Sequence, residues 1–288
     1  MGDEVISSVA EGPGWRLILG NCLDPVHGLV SLPDKSVSHC ITDPPYSEHT
    51  HAKVRRGGSV HAADVTTGGP LRPVISSSVA LGFDALSPFV RAGVASGLAR
   101  VVRRWSLMFC DAEGVTDWMR DVVLVGLEHV RIGQWRKLGG SPQFTGDRPG
   151  IGCEAIEIAH PPGRKRWNGG GRHAFWEFAI ASGTRVHTTQ KPLPLMEALV
   201  SDFTDAGELI CDPFAGSGTT GVACIRLGRR FVGWEKDPRY FAVAVKRLRA
   251  AREQLRMALV VEPMGTQAAL LPASPSTQEA PAAVDAEG

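Results

Sequence analysis

The stretch Glu208-Leu-Ile-Cys-Asp-Pro-Phe-Ala-Gly-Ser-Gly-Thr-Thr-Gly221 joins an apolar run to a segment of helical composition. Residues 208–211 read as a buried strand and residues 219–227 as a helix. The loop between them has glycines at the GxGxxG spacing, which are Gly216, Gly218 and Gly221. Glycines there let the chain turn tightly and let its backbone approach a ligand at the start of a helix. The stretch predicts an α/β sheet with a loop for a nucleoside cofactor, without saying which one.

Two acidic residues strengthen this interpretation. Asp212 closes the strand and could bind an ammonium group. Glu235 closes the next predicted strand, 230–234, and lies 19 residues after Gly216, where a carboxylate can accept both ribose hydroxyls. The loop lacks the Gly-Lys-Ser/Thr of a phosphate-binding loop, so a nucleoside triphosphatase is disfavoured.

A second motif, Asp43-Pro-Pro-Tyr46, directly follows a predicted strand at 36–42. An aryl amine is a poor nucleophile because its lone pair is delocalised into the ring. The Asp43 carboxylate and the Pro44 carbonyl can each accept an N–H bond from such an amine, which draws the lone pair out of the ring. Pro44 and Pro45 fix the backbone, and Tyr46 offers a flat face on which an extruded base can stack.

The order of the predicted elements indicates a circularly permuted, doubly wound and mostly parallel sheet. The cofactor strands at 209–211 and 231–234 come late in the chain, so their neighbour must be the N-terminal strand at 15–19. Further strands are predicted at 107–110, 130–135 and 155–159, and further helices at 87–104, 115–127, 194–203 and 238–255. We therefore expect Asp43 and Gly216 to meet at the carboxyl ends of adjacent strands.

Composition argues against a membrane-spanning, secreted or metal-cluster protein. The chain has 288 residues, of which 43% are hydrophobic and 21% charged, as in ordinary globular domains. It shows neither an apolar run of about 20 residues nor a secretion signal, and its six cysteines are scattered, which favours reduced thiols in a cytoplasm. His49, His51 and His61 fit no tight ligand spacing, so no metal site is expected. Because the chain has no long apolar run, no membrane association is expected either.

At these motifs the chain resembles the amino-methylating (N6-adenine/N4-cytosine) DNA methyltransferases, in the β arrangement that places Asp-Pro-Pro-Tyr before the Phe-x-Gly-x-Gly loop. The resemblance covers roughly Trp15 to Leu248. It implies a seven-stranded-type methyltransferase sheet with an inserted target-recognition region. It also implies S-adenosylmethionine as cofactor and a target amine held by Asp43, Pro44, Pro45 and Tyr46. The cofactor residues that it implies within the loop and strand ends are Asp212, Phe214, Gly216, Gly218, Thr219 and Glu235.

A third family segment, Thr-x-Lys-Pro, is similar to His187-Thr-Thr-Gln-Lys-Pro192. It implies that Thr189, Gln190 and Lys191 help enclose the cofactor. The chain departs from the family where many relatives have Gly-Asp-Cys-Leu. Here Asn21 replaces that aspartate, although an amide can still bond an adenine edge.

Charge is unevenly distributed along the chain. Residues 259–288 carry −4 and residues 1–258 carry +5, while residues 131–173 alone hold eight Lys or Arg against three acids. The predicted contacts to double-stranded DNA are the basic tract Arg164, Lys165, Arg166, Trp167, Asn168 and Arg172, and the loop residues Lys53, Arg55 and Arg56.

The predicted organisation has three parts. They are an N-terminal extension (1–14), a catalytic domain (15–258) and a disordered acidic tail (259–288). The catalytic domain includes a flexible catalytic loop (47–78) and a target-recognition region (137–180). The resemblance also implies a cytoplasmic, bacterial or phage enzyme that forms a homodimer.

Several alternatives stay open. The same acceptors suit N4 of cytosine, although the family often has Ser in place of Asp43 for cytosine. A nicotinamide dehydrogenase could use the glycine loop, but it would not need Asp43-Pro-Pro-Tyr46. A non-catalytic DNA-binding module would need only the basic tract. Methylation of RNA or of a protein amide shares this chemistry.

Overall fold

The computed structural model describes residues 8–46, 85–139, 147, 149–180 and 190–261. Within these ranges, nine strands form one sheet and five α-helices pack on it. The strands are β1 (Val9–Gly12), β2 (Trp15–Leu19), β3 (His39–Thr42), β4 (Ser106–Cys110), β5 (Glu128–Leu138), β6 (Cys153–His160), β7 (Phe175–Ala179), β8 (Leu209–Asp212) and β9 (Arg230–Glu235). The helices are α1 (Pro88–Val101), α2 (Val115–Leu124), α3 (Leu193–Phe203), α4 (Thr219–Arg226) and α5 (Pro238–Val261).

The strands lie in the order β1-β2-β9-β8-β3-β4-β6-β5-β7. From β2 to β4 every pairing is parallel, and β6 is antiparallel to both of its neighbours. The N-terminal strand β2 pairs with the last strand β9, from Trp15 opposite Phe231 to Leu19 opposite Glu235. The predicted doubly wound, mostly parallel sheet is confirmed, and so is the neighbour that a permuted order requires.

Helices cover both faces of the sheet because its buried strands are apolar on both sides. Leu17 and Ile41 belong to one core cluster, together with Leu199 of α3 and residues of α4 and α5. The alternating residues Ile18 and Cys40 belong to a second cluster with α1 and α2. Five of the six cysteines are buried and all six are free thiols.

The two outermost strands are additions that the sequence did not predict. β1 pairs antiparallel with β2, so the sheet already begins inside the segment interpreted as an N-terminal extension. β7 pairs in parallel with β5, inside the predicted target-recognition region. Both lie at an edge, where a strand has one neighbour and needs less of the apolar pattern that marks a central strand.

Parallel pairing brings the carboxyl ends of β9, β8 and β3 to one side of the sheet, here called the carboxyl edge. Asp43 follows β3, while Asp212 and Glu235 end β8 and β9. Because β6 is antiparallel to β4, with Cys110 opposite Ala155, its first residues reach the same edge. The opposite side is called the amino edge. No helix in the described ranges is long and apolar enough to cross a bilayer.

Candidate active site

A cavity of about 420 Å³ opens at the carboxyl edge. Residues 43–46 form one part of its wall, and the loop after β8 forms another. They adjoin because β3 pairs in parallel with β8, with Cys40 opposite Cys211. Asn21, Gln190, Lys191 and Glu235 also line the cavity. The structure thus brings together the two motifs that the sequence had suggested would meet.

The glycine loop has the backbone that its sequence predicts. Gly216 and Gly218 have φ values of 53° and 78°, in the left-handed region that side chains disfavour. Gly221 is needed for packing instead, because a Cβ there would lie 2.6 Å from Leu248 Cδ2 and 2.8 Å from the Phe231 ring. Two glycines therefore serve the turn, while the third lets α4 pack closely against α5 and β9.

Asp212 is buried and anchors the start of this loop. Its Oδ1 accepts hydrogen bonds from the Thr42 hydroxyl at 2.6 Å and from the Phe214 N–H at 3.0 Å. Its Oδ2 accepts one from the Thr220 hydroxyl at 2.7 Å. Burial raises the pKa of Asp212 to about 6, although these three hydrogen bonds favour the ionised form. Asp212 ties β3, the loop and α4 together, and these three donors among the described residues leave about one acceptor position open.

Glu235 connects the end of β9 to the loop. Its Oε2 accepts a hydrogen bond from the Gly216 N–H at 2.8 Å, and its Oε1 accepts one from the Asp237 N–H at 2.7 Å. Burial raises its pKa, and the two backbone donors partly offset that rise. A carboxylate can accept about four hydrogen bonds, so two acceptor positions remain for a ligand.

The Lys191 ammonium binds the tetrapeptide. Lys191 Nζ donates hydrogen bonds to Asp43 Oδ2 at 2.7 Å and to the Tyr46 hydroxyl at 3.3 Å. Burial raises the pKa of the Asp43 carboxyl, and the Lys191 ammonium offsets part of that rise. Burial also raises the pKa of Tyr46 well above its usual value, so that the phenol stays protonated.

A second carboxylate shares this ammonium. Glu154, near the start of β6, places its Oε2 3.0 Å from Lys191 Nζ. Its Oε1 lies 2.6 Å from Lys137 Nζ, on β5. Burial alone would raise the pKa of Glu154, but Lys191 and Lys137 outweigh it and lower the pKa to about 2. Burial likewise disfavours the Lys191 cation, yet Asp43 and Glu154 raise the pKa of Lys191 well above its usual value.

Comparisons with known proteins agree with this geometry. A family model described as DNA methylase matches residues 135–246. The chain is 51% identical over 67 residues to the type II methyltransferase M2.DpnII of Streptococcus pneumoniae. These residues are 23% of this chain and 25% of that protein. The resemblance to the amino-methylating DNA methyltransferases is confirmed.

Solved structures of this kind share the fold over most of the chain. The M1.HpyAVI–SAM complex superposes with a TM-score of 0.59 at 23% identity, covering 81% of this chain and 98% of that one. The cytosine-N4-specific PvuII DNA methyltransferase gives 0.57 at 14% identity, covering 84% and 93%. Two curated methylases matched by sequence are covered over only part of their own lengths. The match covers 25% of M2.DpnII and 34% of the putative methylase YubD of Escherichia coli.

Among the described residues, the others that the family resemblance implies lie around the cavity. Asn21 Oδ1 accepts a hydrogen bond from the Leu23 N–H at 2.9 Å, which leaves the amide nitrogen available. Thr219 is buried, and its hydroxyl accepts a hydrogen bond from Arg247 Nη1 at 3.1 Å. Gln190 lines the cavity, while Thr189 lies outside the described residues. Lys191 lines the cavity and also donates its hydrogen bond to Asp43.

The basic tract lies at the amino edge, away from the cavity. It follows the end of β6, where the backbone carbonyl of Arg166 accepts a hydrogen bond from the Trp105 indole at 2.5 Å. Three of its cations face acids: Lys165 pairs with Glu128, Arg166 with Asp205 and Arg172 with Asp202. The Asn168 amide donates to the Thr204 carbonyl at 3.0 Å and ties the tract to the end of α3.

The structure therefore does not bring this tract to Asp43, although family order had suggested target recognition there. Lys53, Arg55 and Arg56, together with the proposed catalytic loop, lie outside the described residues.

Three further residues of the site carried no sequence signal. Glu154 and Lys137 lie in strands whose pairing brings them to the carboxyl edge, and neither belongs to a family motif quoted above. Arg247 on α5 braces the glycine loop, since its Nη1 donates to the Ser217 carbonyl at 2.6 Å. Its place on the inner side of a long helix, 30 residues away, is a tertiary relation that no local pattern encodes.

Proposed function

We propose that this protein transfers a methyl group from S-adenosylmethionine to the exocyclic amine of a base flipped out of duplex DNA, at N6 of adenine. One observation carries the proposal: Asp43 and the glycine loop line the same cavity, at the ends of adjacent strands. A dehydrogenase would need the loop but not the tetrapeptide. A DNA-binding module would need neither.

The cavity residues fit the proposed cofactor. Gln190 Oε1 is buried and has no hydrogen-bond donor within the described ranges, which suits a ligand that brings one. The two acceptor positions left on Glu235 suit a pair of ribose hydroxyls. The Asn21 amide suits an adenine edge. When bound here, S-adenosylmethionine would supply a methyl group activated on a sulfonium ion.

The tetrapeptide would prepare the target amine. Within the described part of the chain, no donor reaches Asp43 Oδ1 or the Pro44 carbonyl. Each can accept one N–H from the amine and so concentrate the nitrogen lone pair on the side facing the donor. The lone pair would form the nitrogen–carbon bond as the carbon–sulfur bond of the donor breaks, with the electrons of that bond staying on sulfur. The proton that the methylated nitrogen then loses passes to Asp43 and from there to water.

The same residues receive the flipped base. Tyr46 stays a neutral phenol because burial raises its pKa, and its ring can stack on the base. Unstacking a base from the duplex costs a few kcal/mol, which stacking in the pocket offsets. Pro44 and Pro45 restrict the backbone and keep the acceptors at one geometry.

The aspartate favours adenine over cytosine, because family members that act on cytosine often have serine there. The test incubates the full chain with unmethylated duplex DNA and methyl-labelled S-adenosylmethionine, and identifies the product nucleoside by mass spectrometry. N6-methyldeoxyadenosine is expected. N4-methyldeoxycytidine would move the assignment to the alternative base, and the absence of any methylated nucleoside would refute the proposed activity.

Duplex DNA is the proposed partner, with Lys53, Arg55 and Arg56 closing over the target and the basic tract contacting phosphates. The amino-edge position of the tract fits contacts to DNA outside the flipped base pair. Asn168 does not suit base reading there, because its amide nitrogen is used to hold α3.

A homodimer is proposed from the family resemblance. Light scattering on the full chain is expected to give twice the chain mass of 30.8 kDa, both without DNA and after the mass of bound DNA is subtracted. A protein mass near 30.8 kDa under both conditions would exclude the dimer.

A further inference from the structure

Four charged side chains form a continuous row at the carboxyl edge. In order they are Asp43, Lys191, Glu154 and Lys137, with neighbouring charged atoms 2.7, 3.0 and 2.6 Å apart. The row joins the residue after β3, the segment just before α3, β6 and β5, so it depends on the sheet being correctly assembled. Two positive and two negative groups alternate, and their formal charges cancel.

The middle of the row is buried. The side chains of Lys191 and Glu154 are only 4% and 10% exposed. A buried charge is tolerated only when a partner compensates for lost hydration, so each of these two groups requires the other's support.

The geometry around Lys191 separates its two carboxylate partners. Its hydrogen bonds go to Asp43 and Tyr46. Glu154 Oε2 is close to the ammonium but receives no well-aligned hydrogen bond from any residue in the described ranges. Glu154 therefore acts on Lys191 mainly through charge, and it does so without touching the cavity.

We propose that Glu154 is a positioning residue for methyl transfer: it shares the Lys191 ammonium with Asp43, so that Asp43 is fixed in place yet stays a strong acceptor for the target amine. Without Glu154, the full charge of Lys191 would fall on Asp43 and weaken its remaining oxygen as an acceptor. Lys137 binds the other oxygen of Glu154 and so limits how much Glu154 weakens the pull of Lys191 on Asp43. This inference rests on the proposed function.

The charged neighbours of Asp43 determine whether its pKa rises or falls when one of them is removed. Lys191 and Lys137 lower the pKa of Asp43, whereas Glu154 raises it. Tyr46 is neutral and bonded to the same ammonium, and Asp212 lies near enough for Asp43 to raise its pKa. Removing the charge of Glu154 should make Asp43 more acidic. Removing the charge of Lys137 should make it less acidic.

The experiment measures kcat/KM for duplex DNA as a function of pH in the full chain, with the variants Glu154→Gln and Lys137→Met. The acid limb of this profile reports an ionisation of the free enzyme. Glu157→Gln is the matched control, because Glu157 is a buried carboxylate on the same strand that pairs with His129 on the opposite face. Melting temperatures show whether each variant is folded.

For Glu154→Gln we expect kcat about 10- to 100-fold lower, as for a displaced catalytic group, and an acid limb shifted to lower pH. For Lys137→Met the limb should shift to higher pH, and the control should leave it unmoved. An unmoved limb in folded Glu154→Gln, or the same shift in both variants, overturns the inference. If Glu154→Gln does not fold, an unmoved limb in Lys137→Met overturns it. An inactive wild-type chain would instead refute the proposed function itself.

Discussion

Asp43 experiences two opposing influences, burial and a nearby ammonium. Burial raises the pKa of its carboxyl, and Lys191 offsets part of that rise. An acceptor must be ionised, so activity should be present above this pKa and lost as the pH falls through it. Because the pKa is raised, the loss should begin at a higher pH than for an ordinary aspartate, whose pKa is about 3.9.

Lys191→Met tests this balance directly. Without the ammonium, the pKa of Asp43 rises further, and the carboxyl also loses its hydrogen bond. We expect kcat/KM near neutral pH to fall by at least about 100-fold and the acid limb to move to higher pH. Lys246→Met, an exposed position on α5, is the control. Equal activity of the two variants across the pH range would contradict the role given to Lys191.

Among the elements, the loop between β8 and α4 depends on glycine at a defined position. Gly218 has φ +78°, and a Cβ there would lie 3.0 Å from Ala244 Cβ. Gly218→Ala should cost about 1–2 kcal/mol of stability and should raise the Kd for S-adenosylmethionine as the loop shifts. Calorimetry on the variant measures both, with Gly152→Ala, which faces open space, as control. Unchanged cofactor affinity would mean that the loop does not hold the cofactor.

The amino ends of β3 and β8 are joined by a buried histidine. His39 Nε2 lies 2.8 Å from Glu208 Oε2, and burial lowers the pKa of His39 to about 4. The unfolded chain takes up this proton near pH 6.5 and the folded chain only near pH 4. The free energy of unfolding should therefore decrease as the pH falls between these values, by up to about 3 kcal/mol.

Urea denaturation between pH 7 and pH 4 measures this effect, with His39→Gln as the comparison. Glutamine can keep a hydrogen bond to Glu208 but cannot titrate, so the variant should be less sensitive to pH over this window. Parallel curves for the two proteins would contradict the assignment.

Most elements could be predicted because their signals are local. Trp15–Leu19 matches its predicted strand residue for residue, and α3, α4 and β9 match to within one residue at either end. The segment around Pro25 shows where such patterns fail. The composition of residues 25–31 predicts a short helix, but Asp24 Oδ1 accepts from the Val26 and His27 N–H groups, and only the 3-10 turn Leu29–Ser31 forms. A local side-chain acceptor competes with the helix for these donors.

At the scale of the whole molecule, some contacts of the site are predictable from sequence motifs, and others arise only when the sheet folds. The meeting of Asp43 with the glycine loop followed from strand order alone. The contact between Lys191 and Asp43 joins residues 148 apart in the chain, and Glu154 arrives through an antiparallel strand. The same folding carries the basic tract to the amino edge, which its position in the sequence did not indicate.

The proposal that the basic tract at the amino edge contacts DNA phosphates can be tested by removing two of its charges. Arg164→Ala combined with Lys165→Ala should weaken DNA binding about tenfold near 0.1 M salt and reduce the slope of log K against log salt by about 2. The control, Lys246→Ala with Arg256→Ala, removes the same charge from α5. Equal effects of the two double variants would indicate general charge rather than a phosphate-contacting surface.

Asp43→Ala provides the most direct test of the proposed chemistry, when methyl transfer and cofactor binding are measured on the same preparation. Methyl transfer to duplex DNA should fall at least about 100-fold, while the Kd for S-adenosylmethionine stays close to that of the unaltered chain, because the glycine loop and Glu235 remain. A variant that methylates DNA at the wild-type rate would show that Asp43 does not hold the target amine.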